Sequence, residues 1–189
     1  MYKRQDKHFA EIFFTDVQVP VENRLGAEGE GWKVTVSALA NERSSIGEVT
    51  QMFSKLDELK DLVKSTRVQG KPAAEDPAVR RQLARFETKI AAMKYNGLRY
   101  LTKQIKGEPL SSETSVNKLH RASLEIEMDD FAVSLSGEAG LQLKGGENAV
   151  GGGSWSKSAL NWPNVVIGGG TPNIQRNIIA ERILGLPKD

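Results

Sequence analysis

From Trp32 onward the apolar residues fall at Trp32, Val36, Leu39, Ile46, Val49, Met52, Phe53, Leu56, Leu59 and Val63. Steps of three, four and seven are the signature of a helix with one buried face. The run predicts one helix ending near Thr66, before VQGKPAAEDP, a loop rich in Gly and Pro. Asp76-Pro77 then opens a second helix, because Asp accepts from first-turn amides and Pro suits the first turn. Its stripe is Val79, Leu83, Phe86, Ile90, Met93, Leu98, Leu101 and Ile105, and Gly107-Glu108-Pro109 stops it. Ser111 or Ser112 can cap a third helix, with Glu113 in its first turn. The third stripe runs Val116, Leu119, Leu124, Met128, Phe131 and Leu135. Ten of the 18 glycines then lie between Gly137 and Gly170, a tract suited to loops with close backbone approach. A short apolar piece, Ala159 to Ile167, interrupts it. Thr171-Pro172 opens a fourth helix, NIQRNIIAERIL, with Gly185 as its stop and Pro187 beyond. Three long helices and a shorter one on modest loops predict an all-α fold, an antiparallel up-and-down four-helix bundle.

Residues 9–20, FAEIFFTDVQVP, depart from this period. Phe9, Ile12, Phe14 and Val17 alternate with smaller or polar residues, and Pro20 ends the run. They read as a short strand and turn. No clear sheet partner follows, so the segment is expected to be an orphan β-strand whose neighbours are missing from this chain.

Composition narrows the classes. A chain of 189 residues is enough for one domain with an appendage and buries a core without staples. With 26 Lys+Arg against 24 Asp+Glu the net charge is +2, too small to point to nucleic acid or an anionic membrane as partner. No apolar run approaches the roughly 20 residues of a membrane helix, and the first residues lack the pattern of a secretory signal. The absence of Cys excludes disulfides, a thiolate nucleophile and Cys-ligated metal; it is compatible with the cytoplasm, where the protein is expected. His8 and His120, the only histidines, have neither the pairing nor the Glu-x-x-His spacing of a metal site, so no metal is expected and both read as solvated. The same spacing gives no nucleophile elbow or triad. Arg80, Arg81 and Arg85 read as a solvated helix face.

Two features carry possible chemistry. Glu42, in ALANERSSIG, lies between Leu39 and Ile46 at the edge of the apolar stripe. Partial burial there would raise its pKa toward that of a general base, since burial disfavours the charged form; a salt-bridged boundary carboxylate fits the same position. Gly168-Gly169-Gly170-Thr171 opens the last helix. Bare backbone amides at a helix start favour an anion or phosphorylated cofactor; a glycine-permitted turn capped by Thr171 or Asn173 fits equally.

The stretches FAEIFFTDVQVPVENRLGAEGEGWKVTVSALANER and IGGGTPNIQRNIIAERILGLPKD resemble the acyl-CoA dehydrogenase family. The first is similar to the passage from the middle β-domain into the C-terminal helices, the second to the last helix. Together they extend the resemblance over residues 9–189. The resemblance implies that residues 1–25 are the end of the middle β-domain with its linker, and residues 26–189 the C-terminal four-helix bundle. It also implies a fragment of about half such an enzyme, with Met1 an introduced start.

The family reaction is α,β-desaturation of an acyl-CoA thioester: a carboxylate removes the α-proton and the β-hydrogen leaves as hydride to FAD. Many members place that carboxylate just before the Gly-Thr of the last helix, where this sequence has Gly169. Others place it on the first bundle helix, immediately before an Arg, and Glu42-Arg43 matches. The resemblance thus implies Glu42 as the base, with Arg43 positioning or stabilising the site. For FAD it implies Gly170, Thr171 and Asn173, although Pro172-Asn173 replaces the commoner Ser-Glu. Ser134 and Gly137 lie where the family has a Gln-x-x-Gly-Gly loop that meets a neighbouring subunit's FAD; Ser134 and Glu138 depart from it. The usual Arg-x-x-Phe-Gly after the first helix is absent.

The implied function is an oxidoreductase acting on an acyl-CoA substrate, with FAD in the full-length enzyme and a homodimeric, homotetrameric or hetero-oligomeric assembly. The fragment alone is expected to be inactive and to retain little FAD, because an incomplete constellation cannot orient its reactants. The other reading is a non-catalytic helical assembly module or subunit of such a complex.

Overall fold

The computed structural model describes residues 11–42, 46–108 and 112–188, with side chains for all of these except 39–42, 46, 47 and 165. Two compact units, residues 1–36 and 37–189, divide the chain.

In the first unit, residues 11–20 are exposed and form no strand. The orphan strand expected over 9–20 is therefore absent from the described part of that segment. A strand is held by its ladder, and among the described residues no strand pairs with this segment. Ile12, Phe13 and Phe14 are 75–82% exposed. Glu30 closes the turn before helix α1 (Gly31–Glu42), accepting from the Ala27 amide at 3.2 Å and from Lys33 Nζ at 3.0 Å.

The second unit is helical. The first predicted helix is represented by α1 and α2 (Ile46–Ser65), on either side of residues 43–45, which lie outside the described residues. Between α2 and α3 the VQGKPAAEDP loop contains a two-residue hairpin, strands β1 (Arg67–Val68) and β2 (Lys71–Pro72). Gln69 (φ 51°) and Gly70 (φ 80°) are its corner, the left-handed pair that matches strand twist in the tightest hairpins. Asp76 then caps α3 (Pro77–Ile105) as expected, its Oδ1 accepting from the Ala78 amide at 2.6 Å and the Val79 amide at 3.3 Å. Gly107 (φ 73°) ends α3, with its amide on Gln104 O and that of Glu108 on Lys103 O.

Helix α4 (Thr114–Leu135) starts after Glu113, whose side chain makes no cap. Neither expected serine cap is seen: Ser111 lies outside the described residues and Ser112 stands one residue too early. Glu113 instead faces α3, accepting from Lys103 Nζ at 2.7 Å on its side chain and from Tyr100 Oη at 2.7 Å on its backbone.

Cross-contacts give the directions. Tyr100 with Glu113, Lys89 with Glu127 and Phe86 with Phe131 pair rising with falling numbers, so α3 and α4 run antiparallel. Glu48 with Arg121 and Lys55 with Asp129 rise together, so α2 and α4 run parallel. The core is Met52, Leu56, Leu59, Phe86, Ile90, Met93, Leu124 and Met128, all at most 2% exposed. Phe86 and Phe131 meet edge to face at 5.7 Å. At 29 residues α3 outruns the 20-residue α2 by about 13 Å at 1.5 Å per residue. Its last apolar positions, Leu98, Leu101 and Ile105, are 38–78% exposed.

The fourth wall is three short helices rather than one: α5 (Ser154–Leu160), α6 (Trp162–Ile167) and α7 (Pro172–Ile178), the last running into one π-wound turn at Ile179–Ile183. All three touch α4. The glycine tract does provide close approach: a Cβ on Gly153 would stand 2.5 Å from the Lys144 amide nitrogen. Trp155, absent from every predicted stripe, is 6% exposed and joins the core. The all-α fold expected from the helical period is the fold observed.

Candidate functional site

The glycine turn before α7 is the best-defined part of the candidate site. Gly169 (φ 70°) and Gly170 (φ 101°) occupy backbone regions that favour residues without a Cβ. The Gly170 amide donates to Ile167 O at 3.1 Å. Thr171 is the N-cap, its Oγ1 accepting from the Ile174 amide at 3.4 Å, and Pro172 is the first helical residue. That leaves the Thr171 hydroxyl proton available as a donor. Asn173 is exposed and its Oδ1 accepts from Arg176 Nη1 at 3.1 Å. Gly170, Thr171 and Asn173 thus lie together on this turn.

The turn lies at the N-terminal end of α4. A Cβ built on Gly169 would stand 3.3 Å from Lys118 Cε and 3.9 Å from Lys118 Cδ. Ser134 and Gly137 lie at the other end of α4. Ser134 is exposed in the last turn, and Gly137 (φ 57°) opens the 3-10 turn Gly137–Leu141. At 1.5 Å per residue Ser134 stands about 24 Å from Lys118 along the helix, and Gly137 lies beyond its end. The structure therefore does not bring Ser134 and Gly137 to the Gly170–Asn173 cluster. Glu42 is the last residue of α1; its side chain, and Arg43 altogether, lie outside the described residues.

Gln175 was not signalled as a site residue. Its side chain donates to the carbonyls of Gly169 at 3.0 Å and Gly170 at 3.4 Å. The sequence carries the Gln, but a polar residue beside Ile174 reads as the wet side of a helix.

A second polar cluster joins α2, α4 and α5. Lys55 Nζ lies 2.7 Å from Asp129 Oδ1 and 3.7 Å from Glu125 Oε1, and donates to Ser158 Oγ at 3.1 Å. Ser158 Oγ donates to Asp129 Oδ2 at 2.7 Å. Burial raises the Asp129 carboxyl above its ordinary pKa, with the Lys55 charge opposing. A groove of about 650 Å³ opens beside this cluster, lined by Thr50, Ser54, Lys55, Glu58, Trp155 and Ser158 among others. No candidate site residue lines it.

His8 lies outside the described residues. His120 corrects the expectation of a solvated histidine: it is part-buried and its Nε2 has no hydrogen-bond partner. Burial, and then the Lys89 charge, lower its pKa, while Glu127 opposes them. Arg80, Arg81 and Arg85 are exposed, as expected of a solvated face. Among the described residues no group of three His, Asp or Glu side chains is placed to hold a metal ion, and no helix is long and apolar enough to cross a membrane.

Residues 29–184 match the family described as acyl-CoA dehydrogenase, C-terminal domain. The chain is 33% identical over 186 residues to the acyl-CoA dehydrogenase IpdE1 of Mycolicibacterium smegmatis, covering 97% of this chain and 44% of that protein. Its identity to the acyl-CoA dehydrogenase FadE26 of Mycobacterium tuberculosis is 27%, over 93% of this chain and 45% of that protein. The chain thus spans under half the length of these curated relatives. Among solved structures it is similar to the ChsE4-ChsE5 complex from Mycobacterium tuberculosis, with a TM-score of 0.76 and 26% identity, covering 94% of this chain and 46% of that one. It is also similar to an acyl-CoA dehydrogenase from Geobacillus kaustophilus, with a TM-score of 0.72 and 27% identity, over 89% and 43%. With that match running from two residues before α1 to the residue before Gly185, the chain belongs to the acyl-CoA dehydrogenase family, as its C-terminal domain.

Proposed function

We propose that this chain is the C-terminal helical part of an FAD-dependent acyl-CoA dehydrogenase in which Glu42 is the catalytic base. Residues 1–25 are then the end of the middle β-domain and its linker, and residues 26–189 the helical domain. The exposed apolar residues Ile12, Phe13 and Phe14 suit a segment that packs on the rest of a longer protein.

The observation that carries this reading is Gly169. A Glu there would have to adopt φ near 70° and set its Cβ against the Lys118 stem. Those requirements disfavour a carboxylate at residue 169 and leave Glu42 as the matching candidate. The residues of the turn fit FAD: two glycines give close backbone approach, and the Thr171 hydroxyl keeps a proton to donate. When bound, FAD supplies the acceptor for the hydride that leaves the β-carbon. The work of this chain is to take the α-proton onto the Glu42 carboxylate, to orient the thioester beside it, and to exclude water from the pair. Arg43 positions or stabilises this site. Gly170, Thr171 and Asn173 hold the cofactor, and Ser134 and Gly137 reach that of a neighbouring subunit; the 24 Å or so between the two groups along α4 suits two separate cofactors better than one subsite.

The substrate is an acyl thioester of coenzyme A. A relative at 25% identity is named an L-prolyl-[peptidyl-carrier protein] dehydrogenase, so membership of the family does not by itself fix the acyl group. The assembly is a homodimer, homotetramer or hetero-oligomer; the similar ChsE4-ChsE5 structure is a complex. The 189-residue chain alone is inactive and retains little FAD. The test is α-proton exchange with solvent deuterium in an acyl-CoA bound to the full-length protein. Exchange should require Glu42 and vanish in Glu42→Gln with FAD still bound; exchange at the wild-type rate in that variant would remove Glu42 from the mechanism.

A non-catalytic assembly subunit is the second reading, favoured by the departures at Ser134, Glu138 and Pro172 from the flavin-binding pattern. Absence of a yellow flavin spectrum in the full-length protein, alone or with a partner subunit, would select it.

A further inference from the structure

Helix α7 buries an unexpected residue. Its buried residue is Gln175, at 1% exposure, while the adjacent Ile174 is 51% exposed. Hydrophobic burial alone would choose the opposite orientation. Burying an amide is costly unless it is hydrogen-bonded, and here only the nitrogen end is satisfied. Nε2 donates to Gly169 O and Gly170 O, and Oε1 has no partner. The Gln175 backbone amide also donates to Thr171 O at 2.9 Å. One residue thus holds three successive carbonyls of the turn.

That hold has a directional consequence. Gly170 carries no Cβ, so the peptides on either side of it rotate at less steric cost than they would beside an L side chain. In a planar trans peptide the N–H points opposite to the C=O. Holding the Gly170 carbonyl toward the protein interior therefore turns the Thr171 N–H to the opposite side. We infer that Gln175 is a positioning residue: by keeping the carbonyls of Gly169 and Gly170 inward, it fixes the face on which the turn presents its donors to the cofactor. This rests on the FAD reading above. Gln175 touches the turn and acts through it.

Two substitutions in the full-length protein separate the explanations. Gln175→Met keeps the approximate shape and loses both polar ends. Gln175→Glu, read at a pH where its carboxyl is ionised, keeps Oε1 and has no donor to replace Nε2. Only loss of Nε2 is common to both. In both variants, exchange of the Gly170 and Gln175 amides should quicken about tenfold, with the amides of α3 unchanged. FAD should bind at least about tenfold more weakly in both. Exchange needs no flavin, so it reads the hold on the turn separately from the FAD reading. Wild-type exchange at these amides in either folded variant overturns the inference. So does quickened exchange with wild-type FAD affinity. If Gln175→Glu fails to fold, Gln175→Met alone decides, because a purely packing role predicts wild-type exchange and FAD affinity for it. Quickened exchange in a wild-type background that binds no FAD leaves the hold standing and overturns the positioning role together with the FAD reading.

Discussion

Gly169 allows the sharpest test of the turn. With φ at 70°, an L side chain there costs about 1–2 kcal/mol relative to Gly. The added Cβ meets Lys118 Cε at 3.3 Å, the flexible end of a side chain that can yield, so backbone strain sets the magnitude. Gly169→Ala should therefore destabilise the chain by about 1–2 kcal/mol, a fall in Tm of about 2–8 °C for a chain of this size. Gly169→Asn should cost less, because Asn tolerates the left-handed region. Gly169→Val should cost most, because a β-branched side chain is least tolerated there. Urea unfolding at constant m value reads the series. An Ala variant as stable as wild type, or a Val variant more stable than the Asn one, would refute the strain argument and with it the reason that residue 169 disfavours a carboxylate.

Three further outcomes follow from other parts of the fold. Asp76→Ala removes the acceptor for the Ala78 and Val79 amides and should cost about 1 kcal/mol in urea unfolding. Asp129→Ala leaves Lys55, whose side chain is 16% exposed, with the more distant Glu125 at 3.7 Å. The loss should be about 2–3 kcal/mol, below that of a fully isolated buried charge. His120 gives a pH signature. Its folded pKa lies below the ordinary 6.5, so below pH 6.5 the unfolded chain binds a proton that the folded chain does not. Stability is then lost as pH falls from 6.5 through the lowered folded value. Relative to wild type, His120→Gln should gain stability across that window and show a constant difference above pH 7.5; a pH-independent difference throughout would contradict it.

Much of the bundle could be read from the sequence because its helices carry local signals. The Val49–Val63 and Val79–Met93 stripes are the buried faces of α2 and α3, and Asp76-Pro77, Thr171-Pro172 and Gly185 mark real boundaries. Signals failed where tertiary contacts decide. Past Met93 the buried face of α3 continues through Gly97 and Tyr100, and Leu98, Leu101 and Ile105 lie to the side of it, so the apolar stripe and the buried face part company there. Serine chemistry pointed to a cap at residue 111 or 112, whereas contacts of Glu113 with Tyr100 and Lys103 mark the entry to α4. Trp155 stood among glycines and had no periodic partners to reveal it. At the site, the glycine turn was legible because left-handed backbone favours glycine. The hold by Gln175 was not, since no local rule buries a Gln in preference to an adjacent Ile.

Single-turnover bleaching of the flavin by an acyl-CoA in the full-length protein tests the role of Glu42 most directly. Glu42→Gln should keep FAD bound and bleach about 10²–10⁴-fold more slowly, because Gln cannot accept the α-proton. Bleaching at the wild-type rate in that variant would contradict the assignment of residue 42 as the base.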